Sequence, residues 1–270
     1  MNGNCKALMQ SCNVFFYTMA ERLDIETIRR YADQLGLMGR TGIDLPGEVE
    51  SHVRGEAWKR EVYDDRWYPS ETVSVAIGQG PVDVTPLALA VMVSAVANGG
   101  TVVTPHLVRA VDDGRGWQPL TPPAPRASTT IPPEILEPIR EGLWLAVNEV
   151  GGTAVRLRID GRDVAAKTGT SQVISLAGGR AAAGRTERDL RDNAWLVFMA
   201  PHVEPEIAGV IFAEHGEHGS WVAPIARHVL ETYFAKREGR PLPAVPPMVT
   251  QTGRAATATV GAAGDPGGGG

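Results

Sequence analysis

The spacing of Leu8, Val14, Phe15, Met19 and Leu23 predicts a helix over residues 6–22. Asp24 then reads as the N-cap of a second helix. Its apolar face is Ile25, Ile28, Tyr31 and Leu35, and Gly36 or Gly39 ends it. Residues 40–70 lose the rhythm and read as loop, with Trp58, Trp67 and Tyr68 as anchors. Thr85-Pro86 is a helix start and Asn98-Gly99-Gly100 a stop. Between them, Leu87 to Ala97 is apolar on nearly every side, which predicts a central, buried helix. Val102-Val103 and Leu107-Val108 follow as short extended pieces, and residues 112–130 as a proline-rich surface connection.

The second half changes period. Pro132-Pro133 opens a helix that runs to Gly151-Gly152. Three strands follow: Val164–Thr170, Ala194–Ala200 and Ile207–Glu214, the last two apolar enough to be central. Residues 174–191 between the first two read as a mobile loop. A helix over Val222 to Lys236 closes the pattern. Residues 239–270, rich in Pro, Gly, Ala and Thr, bury too little apolar area to order themselves and are expected to be a disordered tail. The sum is an α+β fold: residues 1–238 as one domain, with an antiparallel meander behind a helical front half.

Composition excludes more than it selects. The net charge is −5 with charges scattered, so nothing marks a nucleic-acid or membrane-surface binder. The longest apolar run, Ala88 to Ala97, is too short to span a bilayer. No signal peptide is visible in Met1-Asn2-Gly3-Asn4-Cys5, so a targeting segment of an exported parent would lie outside these residues. Cys5 and Cys12, seven residues apart on one predicted helix, are too distant for a disulfide and read as two thiols.

Candidate chemistry concentrates in two places. Lys167-Thr168-Gly169-Thr170 ends the first strand of the meander. Beside a cleft, the lysine offers a positive charge to a carboxylate, and two threonine hydroxyls donate to the same group. Gly169 leaves the strand backbone approachable, and a backbone N–H there can face a developing oxyanion. Taken alone, the same four residues also describe a strand followed by an ordinary turn. Ser11-Cys12-Asn13 likewise suits a helix start, where both polar residues cap well, or a proton relay with an amide for the substrate backbone. Glu214-His215-Gly216-Glu217-His218-Gly219 offers metal-ligand types but no His-Glu-x-x-His pairing. Gly78-Gln79-Gly80-Pro81 lacks the Gly-Lys-Ser/Thr ending of a phosphate loop.

Together these segments resemble the transpeptidase domain of class B penicillin-binding proteins, most closely the elongation type called penicillin-binding protein 2. The resemblance runs in one order over residues 5–235. It is carried by Ser11-Cys12-Asn13-Val14-Phe15-Phe16-Tyr17, Thr41-Gly42-Ile43-Asp44-Leu45-Pro46-Gly47-Glu48 and Glu71 to Gly80 continuing through Val84-Thr85-Pro86 to Ala90. Lys167-Thr168-Gly169-Thr170 and Asn193-Ala194-Trp195-Leu196-Val197-Phe198 complete it. It implies a penicillin-recognising α/β fold, an antiparallel sheet between helical layers, and no metal or organic cofactor.

The implied reaction is serine acyl transfer. A serine attacks a stem peptide ending in D-Ala-D-Ala, D-Ala leaves, and an amine of a neighbouring stem takes the acyl group, crosslinking peptidoglycan. On that resemblance Ser11, Asn13 and Lys167 are catalytic. Thr168, Gly169 and Thr170 bind substrate, and the Thr170 N–H is half of an oxyanion hole. Implied partners are stem peptides, β-lactams and membrane proteins of the elongation machinery including a glycosyltransferase. The implied location is the periplasmic face of the bacterial inner membrane. The pattern departs from the family at one point. The nucleophile belongs to Ser-x-x-Lys, and no serine here has a lysine three positions later. The family places that helix, and the first strands of the sheet, before the Ser-x-Asn helix. The expectation is therefore an inactive partial domain, or alternatively a degenerate homologue that binds muropeptide or a partner without catalysis. A serine β-lactamase shares the Lys-Thr-Gly logic but not the long matching segments.

Overall fold

Where the apolar spacing predicts one helix over 6–22, the computed structural model has two: α1, Gly3–Gln10, and α2, Asn13–Ala20. The structure describes residues 3–173 and 191–245. The break is a helix-ending motif. Ser11 adopts a left-handed conformation with φ 54°, its N–H donates to the Leu8 carbonyl at 3.2 Å, and the Cys12 N–H donates to Ala7 at 2.9 Å. Glycine normally holds that position. A serine there gives no sequence signal for a helix end.

α3, Ile25–Gln34, starts where predicted, with the Asp24 carboxylate accepting the Thr27 N–H at 2.6 Å, and ends at Gly36 with φ 77°. Residues 40–70 are not all loop. They hold β1, His52–Val53, α4, Glu56–Tyr63, and the first residues of α5, Pro69–Ala76. None of α4 is buried. It is fastened from outside, by the Lys59–Glu71 pair at 2.7 Å and by Arg54 over the Trp58 ring, so it has no apolar stripe to read. α5 has Pro69 in its first turn and the Glu71 carboxylate accepting the Tyr68 N–H at 2.9 Å. Trp67 is an anchor as predicted, donating to the Thr72 hydroxyl at 2.8 Å.

β2, Val82–Asp83, pairs with β1 and leads into α6, Pro86–Ala97, capped by the Thr85 hydroxyl. Short strands β3, Thr101–Val102, β4, Ala110–Asp112, β5, Trp117–Pro119, and β6, Ala127–Ser128, follow. β3 pairs with β6 and β4 with β5, so the proline-rich connection is more structured than its composition predicts. Leu107 and Val108 form no strand; their N–H groups bind the Asp44 carboxylate at 2.8 and 2.9 Å.

α7, Pro133–Asn148, precedes the main sheet of β7, Ala165–Ser171, β8, Asn193–Ala200, and β9, Ile207–Ala213, antiparallel in the order β7-β8-β9. α8, Ala223–Arg237, ends the described fold. Leu196 and Phe198 of β8 meet Ala226, Leu230 and Phe234 of α8 on one face. Ala165 and Met199 meet Val93 and Val96 of α6 and Leu143 of α7 on the other. The period-2 alternation of β8 thus feeds two cores, which is why that strand is apolar throughout. α1 packs against α7 so closely that a Cβ on Gly142 would stand 2.7 Å from the Leu8 Cβ. That packing fixes where Ser11, one residue past α1, lies relative to β7. Cys5 is buried and Cys12 partly exposed, both free thiols. Among the described residues no helix is long and apolar enough to cross a membrane. The predicted mobile loop, apart from Arg191, and the tail from residue 246 lie outside the described residues.

Candidate active site

Ser11, 156 residues before Lys167, comes within hydrogen-bond distance of it. The Lys167 ammonium donates to the Ser11 hydroxyl at 2.8 Å and to the Thr168 carbonyl at 2.6 Å. Both side chains line a cleft of about 880 Å3, walled by the start of α2, the turn after α5, β7 and the turn before α8. Asn13 and Phe16 enter it from α2, and Thr168, Gly169 and Thr170 from β7. Every site residue expected from the sequence therefore lines one cavity. Ser11 and Lys167 are brought into direct contact. Asn13 is exposed at the rim.

The electrostatics of the pair are set by burial. Among the described residues no carboxylate offsets the loss of water around Lys167, and desolvation lowers its pKa from 10.5 to about 8. Its partners are a hydroxyl and a carbonyl, both neutral acceptors. Near neutral pH it is a cation held ready for an anion, yet within reach of giving up its proton.

Among the described residues β7 is an edge strand, paired only with β8. Its outer side is occupied at intervals. The Thr168 carbonyl takes the Lys167 ammonium. The Thr170 carbonyl takes the Gln79 side-chain N–H at 2.8 Å, and the Gln172 N–H donates to the Gln79 Oε1 at 3.2 Å. In a pleated strand the N–H and C=O of one residue face the same side, so the Thr170 N–H also faces this edge. The Thr168 hydroxyl is tied to the Thr153 hydroxyl at 2.9 Å, and the Trp195 indole donates to Ser171 at 3.0 Å.

Sequence reasoning missed Gln79, Thr153 and Trp195. For Gln79 a signal was present. Glycines with φ 74° and 72° flank it, an arrangement that turns the chain sharply and presents one long polar side chain. The segment that failed as a phosphate loop thus belongs to the cleft through that side chain. The Glu214–Gly219 turn also has a place. His215 and Glu217 sit at φ 57° and 60°, the His215 N–H is held by Asn193, and His218 and Gly219 reach the cleft wall.

The left-handed Ser11 gives a first testable consequence. A residue with a Cβ costs about 1–2 kcal/mol there. Ser11→Gly is therefore expected to keep stability within about 1 kcal/mol of the natural chain. Ser11→Val, β-branched, is expected to lose about 2 kcal/mol or more. Denaturant unfolding checks the pair.

The sequence matches the penicillin binding protein transpeptidase domain over residues 5–231. It is 33% identical over 239 residues to the peptidoglycan D,D-transpeptidase MrdA of Acinetobacter baumannii, covering 88% of this chain and 35% of that protein. The MrdA of Haemophilus influenzae is 31% identical over 237 residues, covering 86% and 36%. The chain thus spans about a third of the length of these relatives. Among solved structures it is similar to penicillin-binding protein 2 of Pseudomonas aeruginosa in complex with WCK 5153. The TM-score is 0.73 at 29% identity, with 89% of this chain and 49% of that one covered. It is also similar to penicillin-binding protein 2 of Helicobacter pylori in a complex with MreC, with a TM-score of 0.70 at 29% identity, covering 87% and 40%. A Lys-Thr-Gly edge strand in contact with a Ser-x-Asn turn, on this sheet and over this length of match, places the chain in the penicillin-binding protein transpeptidase domain family.

Proposed function

We propose that residues 1–238 are the part of a peptidoglycan D,D-transpeptidase domain that binds the terminal carboxylate of a stem peptide and relays protons during serine acyl transfer in cell-wall elongation. The observation that carries this reading is the Lys167–Ser11 contact at 2.8 Å inside the cleft. Lys167 and the hydroxyls of Thr168 and Thr170 serve a D-Ala-D-Ala carboxylate, and Asn13 serves the peptide amide. Ser11 and a lysine with its pKa near 8 pass a proton to the leaving amine. The Thr170 N–H supplies half of an oxyanion hole. β-Lactams, which also present a carboxylate beside an acyl carbon, are ligands on the same reading. Membrane proteins of the elongation machinery, a glycosyltransferase among them, are the proposed partners, at the periplasmic face of the inner membrane.

Covalent chemistry requires the serine of a Ser-x-x-Lys, which these 270 residues do not contain. Removing the nucleophile from an acyl-transfer site costs several orders of magnitude, because the other groups act only around it. The 270-residue chain is therefore expected to give no band with a fluorescent penicillin on a denaturing gel. A chain extended upstream by an in-frame Ser-x-x-Lys segment is expected to be labelled. Labelling of the short chain, or a blank lane for the extended one, would overturn this assignment. The alternative of a purely binding domain separates in the same experiment: it retains D-Ala-D-Ala affinity while staying unlabelled even when extended.

A further inference from the structure

Among the described residues the outer edge of β7 pairs with no strand. Unpaired N–H and C=O groups on an edge strand are a template for another extended chain. Here that template is already in use. Gln79 donates to the Thr170 carbonyl and accepts from the Gln172 N–H, so one carboxamide satisfies both polarities of the edge at once. It reaches across 91 residues of sequence to do so. Its base is firm: the Gln79 N–H is held by the Ser74 carbonyl at 3.0 Å and the Gly78 N–H by Val75 at 2.9 Å, both on α5. Beside it, among the described residues, a Cβ on Gly78 would meet nothing within 4 Å.

We infer that Gln79 is a latch on the outer edge of β7 that competes with the backbone of an incoming peptide for the Thr170 carbonyl and the Gln172 N–H. The inference rests on reading the cleft as a site for a carboxylate-terminated peptide. A ligand that only presents a carboxylate meets Lys167 and leaves the latch in place. A ligand with backbone amides beyond its terminal residue replaces both Gln79 bonds with its own. The exchange conserves hydrogen bonds, so it admits peptides and gives a bare carboxylate nothing. Gln79 is thus a positioning and selectivity residue.

Two probes separate the possibilities: propionate, and an N-acetylated tripeptide ending in D-Ala-D-Ala, each titrated into the 270-residue chain and followed by NMR. Breaking two partly exposed hydrogen bonds corresponds to about a 3- to 10-fold change in affinity. Gln79→Ala is expected to bind the tripeptide tighter by that factor and propionate unchanged. Gln79→Leu, which keeps much of the bulk and removes both hydrogen-bonding groups, is expected to shift the tripeptide in the same direction. An unchanged or weaker tripeptide affinity in Gln79→Ala overturns the latch while leaving the carboxylate site standing. If neither probe binds the natural chain, the carboxylate site falls and the latch falls with it. Thermal unfolding of both variants near that of the natural chain assigns any change to the edge.

Discussion

Lys167→Met is expected to weaken carboxylate binding by about 10- to 100-fold, the range of a charge-assisted hydrogen bond lost from a partly buried site. Methionine keeps much of the length and apolar volume of the stem, so the packing around β7 should survive. The charge effect also has a pH signature. Burial holds the Lys167 pKa at about 8, and a bound carboxylate raises it by stabilising the cation. Affinity therefore starts to fall as pH rises through about 8, where the free site loses its proton. In Lys167→Met that dependence disappears. Isothermal titration of D-Ala-D-Ala between pH 6.5 and 9.5, a span of roughly three units around the free pKa, checks both statements.

The same lysine ties folding stability to pH, with a sign opposite to that of an ion-paired lysine. Its folded pKa, about 8, lies below the ordinary 10.5, so between those values the unfolded chain binds more protons. Stability contributed at this site then rises with pH across the window, because folding no longer desolvates a charge. Below about pH 8 the cost is constant. Relative to Lys167→Met, whose other titrations are the same, the natural chain gains on the order of 2 kcal/mol between pH 8 and pH 10.5.

Much of this was legible in the sequence, for identifiable reasons. The strands of the meander and helices α6 and α8 bury apolar residues, and burial leaves apolar runs and faces that can be read. Lys167 and Ser11 were legible as chemistry because a charge at a strand end and a Ser-x-Asn are sharp residue types. α4 was hidden because its stabilisation is ionic and aromatic at the surface. The α1–α2 break was hidden because a serine stands where glycine usually ends a helix. Gln79 left only its flanking glycines as a signal, because its partners lie 91 and 93 residues away, on a strand edge that only the fold defines. What the sequence left out is tertiary: close approaches and edge groups, where no local pattern is required.

Gly219 shows this most sharply, and Gly219→Ala is expected to be among the costliest single substitutions in the chain. From composition the Glu214–Gly219 turn reads as flexible. In the fold Gly219 lies hard against the sheet. A Cβ there would stand 2.5 Å from the Gly169 carbonyl oxygen and 2.8 Å from the Gly169 nitrogen, and would also overlap the Trp195 carbonyl oxygen. All three are backbone atoms inside the β7–β8 ladder, so no rotamer change relieves the overlap. Either the turn lifts from the sheet or β7 shifts at the centre of Lys167-Thr168-Gly169-Thr170. Overpacking of this kind costs about 1–3 kcal/mol, and more where backbone must move. Gly47→Ala is the contrasting case. Its φ is 77° but among the described residues nothing lies within 4 Å of the added Cβ, so only the left-handed conformation is taxed, about 1 kcal/mol. Urea unfolding should rank Gly219→Ala well below Gly47→Ala. Only the former should also lose D-Ala-D-Ala affinity, because it alone displaces the strand that carries Lys167. Equal losses in both variants would mean that the turn yields and that β7 is held by β8 alone.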